Sequence, residues 1–296
     1  RLASHAEVTL LGSWTEGLDA VRERGIRLVE NGETTEVEVR AIDDPSECEG
    51  AQSALVLVKS WQTQAAANML GACLAADGVA LTLQNGLGNI EVLEAAIGSE
   101  RAALGVTTTG ATLLGPGTVR AGGAGPTYVA PHPRLEPLVD LLGTAGFEIH
   151  AASDLMSLMW GKLVVNTGIN ALTALLEVRN GELLESPHAR SLMNEAALET
   201  ARVAEANGIK LPYDNPSQEL ERVARRTAEN ESSMLQDIRR GAPTEVDAIN
   251  GAVVREGDRL GVPTPINWSL WNLVRAKVGE SAAPAGESAA LADESR

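Results

Sequence analysis

Residues 54–59 read Ala54-Leu55-Val56-Leu57-Val58-Lys59, five aliphatic side chains in a row and then a charge. A strand that is apolar on both faces belongs between two helix layers, as in the parallel sheet of an α/β fold. Working outward, the aliphatic or β-branched runs at 8–11, 79–83 and 102–106 predict further strands separated by helical stretches, the alternation of βαβ units. Residues 107–129 turn to Thr and Gly with few charges, a texture of strands and turns, and a helix over 135–145 follows. Beyond residue 151 helical patterns take over. Ser186-Pro187 opens one helix with a cap and a first-turn proline, and Asn207-Gly208 closes it. A second is expected to begin at Thr244, with Asp247 near capping-box spacing, and to end before Gly261-Val262-Pro263. The expected organisation is an α/β parallel-sheet domain over 1–151, an all-α domain over 152–280, and a tail, 281–296, too poor in apolar residues to fold.

Composition narrows the function. The 296 residues carry 24 Lys+Arg against 40 Asp+Glu, a net charge of −16, which argues against a nucleic-acid partner. With five Trp, two Tyr and one Phe, the core must be aliphatic. Cys48 and Cys73 form no CxxC pair, and the four histidines (His5, His132, His150, His188) lack metal-ligand spacing, so no metal site and a reducing compartment are expected. The longest apolar stretch, 155–176, is interrupted by Lys162, Asn166 and Asn170 and does not read as a membrane span.

Ligands of open α/β sheets bind beyond the carboxyl ends of the strands, where this chain places Lys59 after 54–58 and Asn85 after 79–83. Either alone is an ordinary strand-end charge or Asn-Gly turn; the pair at successive strand ends is what suggests a ligand. The residues after 8–11 are Gly12-Ser13-Trp14, with no acid for a ribose hydroxyl, so NAD and NADP both stay open and Ser13, Arg22 and Arg24 are the candidate phosphate partners. The fingerprint GxGxxG is absent from the 296 residues; if 8–11 is a second strand, a first strand and its glycine loop are expected to precede Arg1. The strongest local signal is Lys162, Asn166 and Asn170, spaced i, i+4, i+8 on one stripe of an otherwise apolar helix. Three buried and unpaired polar side chains would cost about 1–3 kcal/mol each, a cost that a ligand would remove. The alternative is a narrow solvated stripe at a domain seam. Glu245 and Ser233 read singly as a helix-end acid and a cap, but a catalytic lysine needs an acidic partner, which favours Glu245.

The ordered set of Lys59, Leu83-Gln84-Asn85-Gly86, Lys162 with Asn166 and Asn170, Asn180-Gly181, residues 232–237 (SSMLQD), residues 244–251 (TEVDAING) and Gly261-Val262-Pro263 resembles the ketopantoate reductase family. The resemblance implies a Rossmann-type domain followed by a helical domain like that of 6-phosphogluconate dehydrogenase, with an active site between them. It implies Lys162 as general acid and Glu245 as its acidic partner. Asn85, Asn166, Asn170, Asn180 and Ser233 match substrate-binding positions, while Lys59, Asn85, Ala111 and Glu245, with Ser13, match the cofactor side. The expected chemistry is reduction of a small 2-oxo acid, 2-dehydropantoate, by NADPH in pantothenate biosynthesis. NADH is the alternative, because Ser13-Trp14 stands where the family has an arginine. A relative acting on another branched 2-oxo acid, or a non-catalytic homologue, is the competing reading. The expected setting is cytoplasmic, with no membrane or nucleic-acid partner and a homodimer as the assembly.

Overall fold

A computed structural model describes residues 1–279, so the tail expected at 281–296 lies outside the described residues. The described chain divides into two compact units. One comprises Arg1–Val58, Gln62–Gln84 and Asn89–Leu155; the other comprises Lys59–Trp61, Asn85–Gly88 and the chain from Met156 onward.

The first unit contains β1 (Thr9–Leu11), α1 (Thr15–Arg24), β2 (Ile26–Glu30), β3 (Glu33–Val37), β4 (Arg40–Ile42), β5 (Ala51–Val56), α2 (Thr63–Cys73), β6 (Leu74–Thr82), α3 (Asn89–Ile97), β7 (Ala102–Thr107), β8 (Ala111–Gly115), β9 (Thr118–Ala121), β10 (Thr127–Val129), α4 (Glu136–Thr144) and β11 (Ile149–Ala151). Its main sheet has the order β11-β10-β7-β6-β5. Strands β5, β6 and β7 are parallel, with Ala54 opposite Ala80 and Ala80 opposite Ala102. Strand β10 runs antiparallel to β7 and parallel to β11. Successive strand residues face opposite ways. Hence Ala80 packs with Val56, Leu70, Leu93 and Ile97 on the side of α2 and α3, while Val79 and Leu81 pack with Leu138 and Leu142 of α4. This is why the strands at 54–58 and 79–83 are apolar on both faces.

Two smaller sheets accompany it. Strands β1 and β4 pair in parallel, and β3-β2-β9-β8 form a four-stranded sheet. The hairpin between β2 and β3 turns at Asn31 and Gly32, both at positive φ (52° and 85°), the geometry of a type I′ turn.

The second unit holds α5 (Leu155–Leu176, which begins on the last residue of the first unit), α6 (Pro187–Ala206), α7 (Pro216–Arg226), α8 (Ser233–Arg239), α9 (Asn250–Leu260) and α10 (Pro265–Val278). Ser186, Asn215 and Ser232 cap α6, α7 and α8 through their side chains. Along α5, Trp160, Leu163, Val164, Ile169 and Leu172 belong to one core with Met193 of α6, Leu220 of α7 and Val253 of α9. Gly168 permits that packing: a Cβ there would stand 2.9 Å from the Met193 carbonyl oxygen and 3.0 Å from Leu220.

The helix expected to start at Thr244 starts instead at Asn250. Residues 246–249 form a turn, closed by Ile249 N–H donating to the Glu245 carbonyl, and Ile249 itself lies outside helical space at φ −103°, ψ −90°. The Ala248 carbonyl is engaged by the Leu87 N–H at 2.9 Å. Glu245 is therefore not in a helical first turn, and Thr244 is not the cap of α9.

Candidate active site

Two short segments that follow β5 and β6, Lys59–Trp61 and Asn85–Gly88, belong to the helical unit and meet it through side chains and backbone. Lys59 Nζ donates to Asp237 Oδ2 at 2.6 Å and lies 3.7 Å from Glu245 Oε2. The Ser60 N–H donates to Glu245 Oε1 at 3.2 Å, and Asn85 Nδ2 donates to Glu245 Oε2 at 3.3 Å. Glu245 is 4% exposed and Asp237 1%, so both carboxylates are nearly dry and their charges rest on these donors. Asp237 also accepts from Arg240 at 2.6 Å. Gly86 is held at φ +82° against residue 248; a Cβ there would stand 2.3 Å from the Ala248 carbonyl oxygen, so only glycine lets this loop approach.

The origins of both segments are locked together inside the first unit. Gln84 Nε2 donates to the Val58 carbonyl and to Thr63 Oγ1, each at 2.8 Å, and Thr63 Oγ1 donates to Asn89 Oδ1 at 2.9 Å. The exits from β5 and β6 are thus set by one amide side chain.

On α5, Lys162 is half-buried, and desolvation pushes its ammonium down to about 8, against which the negative charge of Glu245 pulls upward. Burial and the charge of Glu245 therefore oppose each other at this lysine, which is mostly charged at neutral pH and gives up its proton near pH 8. Asn166, one turn on, is half-buried, and Asn170, a turn further, is 7% exposed. Asn180 opens a short 3-10 turn, also 7% exposed; its Nδ2 donates to Thr227 Oγ1 at 2.9 Å, while its Oδ1 is buried without a partner.

Ser232, not Ser233, is the cap of α8. Its hydroxyl accepts from the Leu235 N–H at 3.1 Å and from Thr173 Oγ1 at 2.7 Å. Ser233 is half-buried and has no capping role. In the first unit, Ser13 is exposed between β1 and α1, and Ala111 is exposed at the start of edge strand β8. Arg22, a candidate phosphate partner, is committed elsewhere: it pairs with Asp19 at 3.0 Å and Asp43 at 3.1 Å and donates to the Ala41 carbonyl. Arg24 reaches the Pro116 carbonyl at 3.4 Å.

The helical unit therefore gathers Lys59, Asn85 and Glu245, Asn85 by a hydrogen bond to the glutamate and Lys59 by an ion pair with it, and couples Glu245 electrostatically to Lys162. Sequence reasoning missed Asp237 and the Ser60 N–H. Asp237 sits in the SSMLQD stretch, and a signal existed, since a lysine at a buried strand end requires a counter-charge.

The arrangement matches known proteins along nearly its whole length. The family described as Ketopantoate reductase PanE/ApbA matches residues 1–134, and its C-terminal counterpart, Ketopantoate reductase PanE/ApbA C terminal, matches residues 154–278. The chain is 40% identical over 275 residues to a 2-dehydropantoate 2-reductase of Halobacterium salinarum, covering 90% of each chain. It is 38% identical over 263 residues to one of Archaeoglobus fulgidus, covering 87% of this chain and 85% of the other. Among solved structures, a PanE/ApbA family ketopantoate reductase from Ralstonia eutropha superposes with a TM-score of 0.87 at 33% identity, over 94% of this chain and 92% of that one. A D-mandelate dehydrogenase solved with NADH and anilino(oxo)acetate superposes with a TM-score of 0.88 at 28% identity, over 94% and 93% of the two chains. With matches of this extent in both units, the chain belongs to the ketopantoate reductase family.

Proposed function

We propose that this protein reduces 2-dehydropantoate to (R)-pantoate with NADPH, in the route to pantothenate and coenzyme A, with Lys162 as general acid. The observation that carries the reading is a desolvated lysine, pushed down to about 8, coupled to a buried glutamate that also binds the loops after β5 and β6.

A reduced nicotinamide, when bound, supplies the hydride. The residues present fit such a group: the loops after two adjacent parallel strands offer Lys59, the Ser60 N–H and Asn85 around one buried carboxylate. In the helical unit, Lys59, Asn85 and Glu245 are the residues assigned to hold it; in the first unit the assigned residues are Ser13 and Ala111. Lys162 Nζ keeps the transferable proton, stabilises the negative charge developing on the substrate carbonyl oxygen, and protonates that oxygen. Glu245 holds Lys162 in its charged form at neutral pH. Asn166, Asn170, Asn180 and Ser233 bind the hydroxyl and carboxylate of the substrate as neutral donors and acceptors, which add no charge to compete with that of Lys162. The unpartnered Asn180 Oδ1 supports this assignment, since a substrate hydroxyl would satisfy it.

Among the described residues no helix is long and apolar enough to cross a membrane. The setting we assign is cytoplasmic, and a homodimer is the assembly to test by light scattering. A second reading takes NADH as the cofactor, favoured by the engagement of Arg22 with Asp19 and Asp43, which leaves it ill placed to meet a 2′-phosphate, with another branched 2-oxo acid as the alternative substrate. Following nicotinamide absorbance across a panel of 2-oxo acids with NADPH and NADH separates the two. Highest kcat/KM with 2-dehydropantoate and NADPH is the expected result; no turnover of any 2-oxo acid would reject both readings.

A further inference from the structure

Cys48 and Cys73 stand far apart in sequence and in unlike surroundings, yet the fold of the first unit brings their Sγ atoms to 2.7 Å, Cys48 donating. A disulfide needs about 2.05 Å, so these thiols stand only a small rearrangement from bonding distance. Both are free thiols in the structure. Each is held from its own side. Cys48 ends the short 3-10 turn Pro45–Cys48, which Asp44 caps by accepting from the Ser46 N–H, and its Sγ lies 3.2 Å from the Pro45 carbonyl, the alternative acceptor for its one S–H. Arg40 clamps the same turn through the carbonyl and the carboxylate of Glu47, each at 2.9 Å. Cys73 is the last residue of α2 and only 5% exposed.

We propose that Cys48 and Cys73 form a reversible intramolecular disulfide by exchange with a low-molecular-weight disulfide. Half-buried Cys48 is the thiol that solvent can reach. Its thiolate attacks one sulfur of the incoming disulfide, forming a mixed disulfide and releasing one small thiol. Cys73 then attacks Cys48 Sγ; the new S–S bond forms as the mixed one breaks, and the Cys73 proton leaves with the second small thiol. The protein loses two protons and two electrons, and the small disulfide takes them up to become two thiols. Burial, with Cys48 beside it, pushes the Cys73 thiol up to about 12, which disfavours it as the first attacker; in the second step the 2.7 Å approach of the two sulfurs makes the attack intramolecular and offsets its small thiolate fraction. The closed loop would enclose β5 together with Lys59 and Ser60, the residues that reach Asp237 and Glu245. Cross-linking it should restrict unfolding of the first unit.

The test uses the unaltered protein, equilibrated with oxidised glutathione, quenched in acid and mapped by mass spectrometry. The expected product is a Cys48–Cys73 linked peptide two hydrogens lighter than the pair of thiols, reversed by dithiothreitol, with Tm raised by about 5 °C in the oxidised form. Cys73→Ser should instead stop at a glutathionyl adduct on Cys48, and Cys48→Ser should stay unmodified while folded. Two intact thiols, stable glutathionyl adducts on the unaltered protein, or links only between separate chains would overturn the proposal.

Discussion

Helices α5 and α7 treat charge in opposite ways. Over its 22 residues α5 carries one charged side chain, Lys162, and sets it among apolar neighbours. The 11 residues of α7 carry Glu219, Glu221, Arg222, Arg225 and Arg226 and match acids to bases locally: Glu221 takes Arg190 at 2.7 Å and Arg225 at 2.8 Å, and Glu219 takes Arg222 at 2.5 Å. In α7 the bases lie at the surface, where such pairs contribute little. In α5 the fold tolerates a desolvated ammonium that no hydrophobic core requires. Charge kept where it costs stability marks function; charge matched at the surface marks solubility and register.

Removing the exceptional charge should have the largest effect. Lys162→Met is expected to lower kcat/KM by about 10²–10⁴ while raising Tm, because the fold no longer buries an ammonium. The sign follows from linkage. The folded pKa, about 8, lies below the ordinary 10.5, so under pH 8 both folded and unfolded chains are protonated and the folded state bears the whole penalty, about 3 kcal/mol. That penalty is relieved as pH rises from 8 toward 10.5. The Tm gap between the variant and the parent should therefore be widest below pH 8 and close above it, and a variant less stable than the parent at pH 7 would contradict the comparison.

Glu245→Gln ranks next. It keeps the shape but removes the carboxylate charge that raises the Lys162 pKa and that meets Lys59, so kcat/KM should fall about 10–100-fold at pH 7.5, measured by nicotinamide absorbance. The third effect is on stability and comes from the whole surface. A net charge of −16 repels itself, so Tm should rise by several degrees between low salt and about 1 M salt; an unchanged Tm would mean the acids are already neutralised within the fold. The smallest change is expected in α7, where Glu221→Gln should leave kcat/KM unaltered and shift Tm by no more than about 2 °C in a thermal melt.

The same contrast explains what could be read in advance. Strands β5 and β6 were legible because burial on both faces demands unbroken apolar runs, and the stripe of Lys162, Asn166 and Asn170 was legible because polar groups stand out against an apolar helix. Strand β3 was not, since Glu33-Thr34-Thr35-Glu36 is exposed and carries no apolar alternation. Its hairpin did leave a signal in Asn31-Gly32, a dipeptide suited to two successive positive φ values. Helix α7 left one too, in the cap and first-turn proline of Asn215-Pro216. The start of α9 misled because Thr244 and Asp247 imitate a capping box, whereas the Ala248 carbonyl is taken by Leu87 from a distant loop, a contact no local pattern carries. The pairing of Cys48 with Cys73 is hidden for the same reason.

The account stands on Lys162 giving up a proton from a pKa near 8 that Glu245 holds up. The most direct test is the pH dependence of kcat/KM for 2-dehydropantoate reduction in the unaltered enzyme and in Glu245→Gln. The predicted profile falls above about pH 8 in the unaltered enzyme, and the fall moves to lower pH in the variant. A profile that stays level to pH 10, or one that does not move when the glutamate charge is removed, would contradict it.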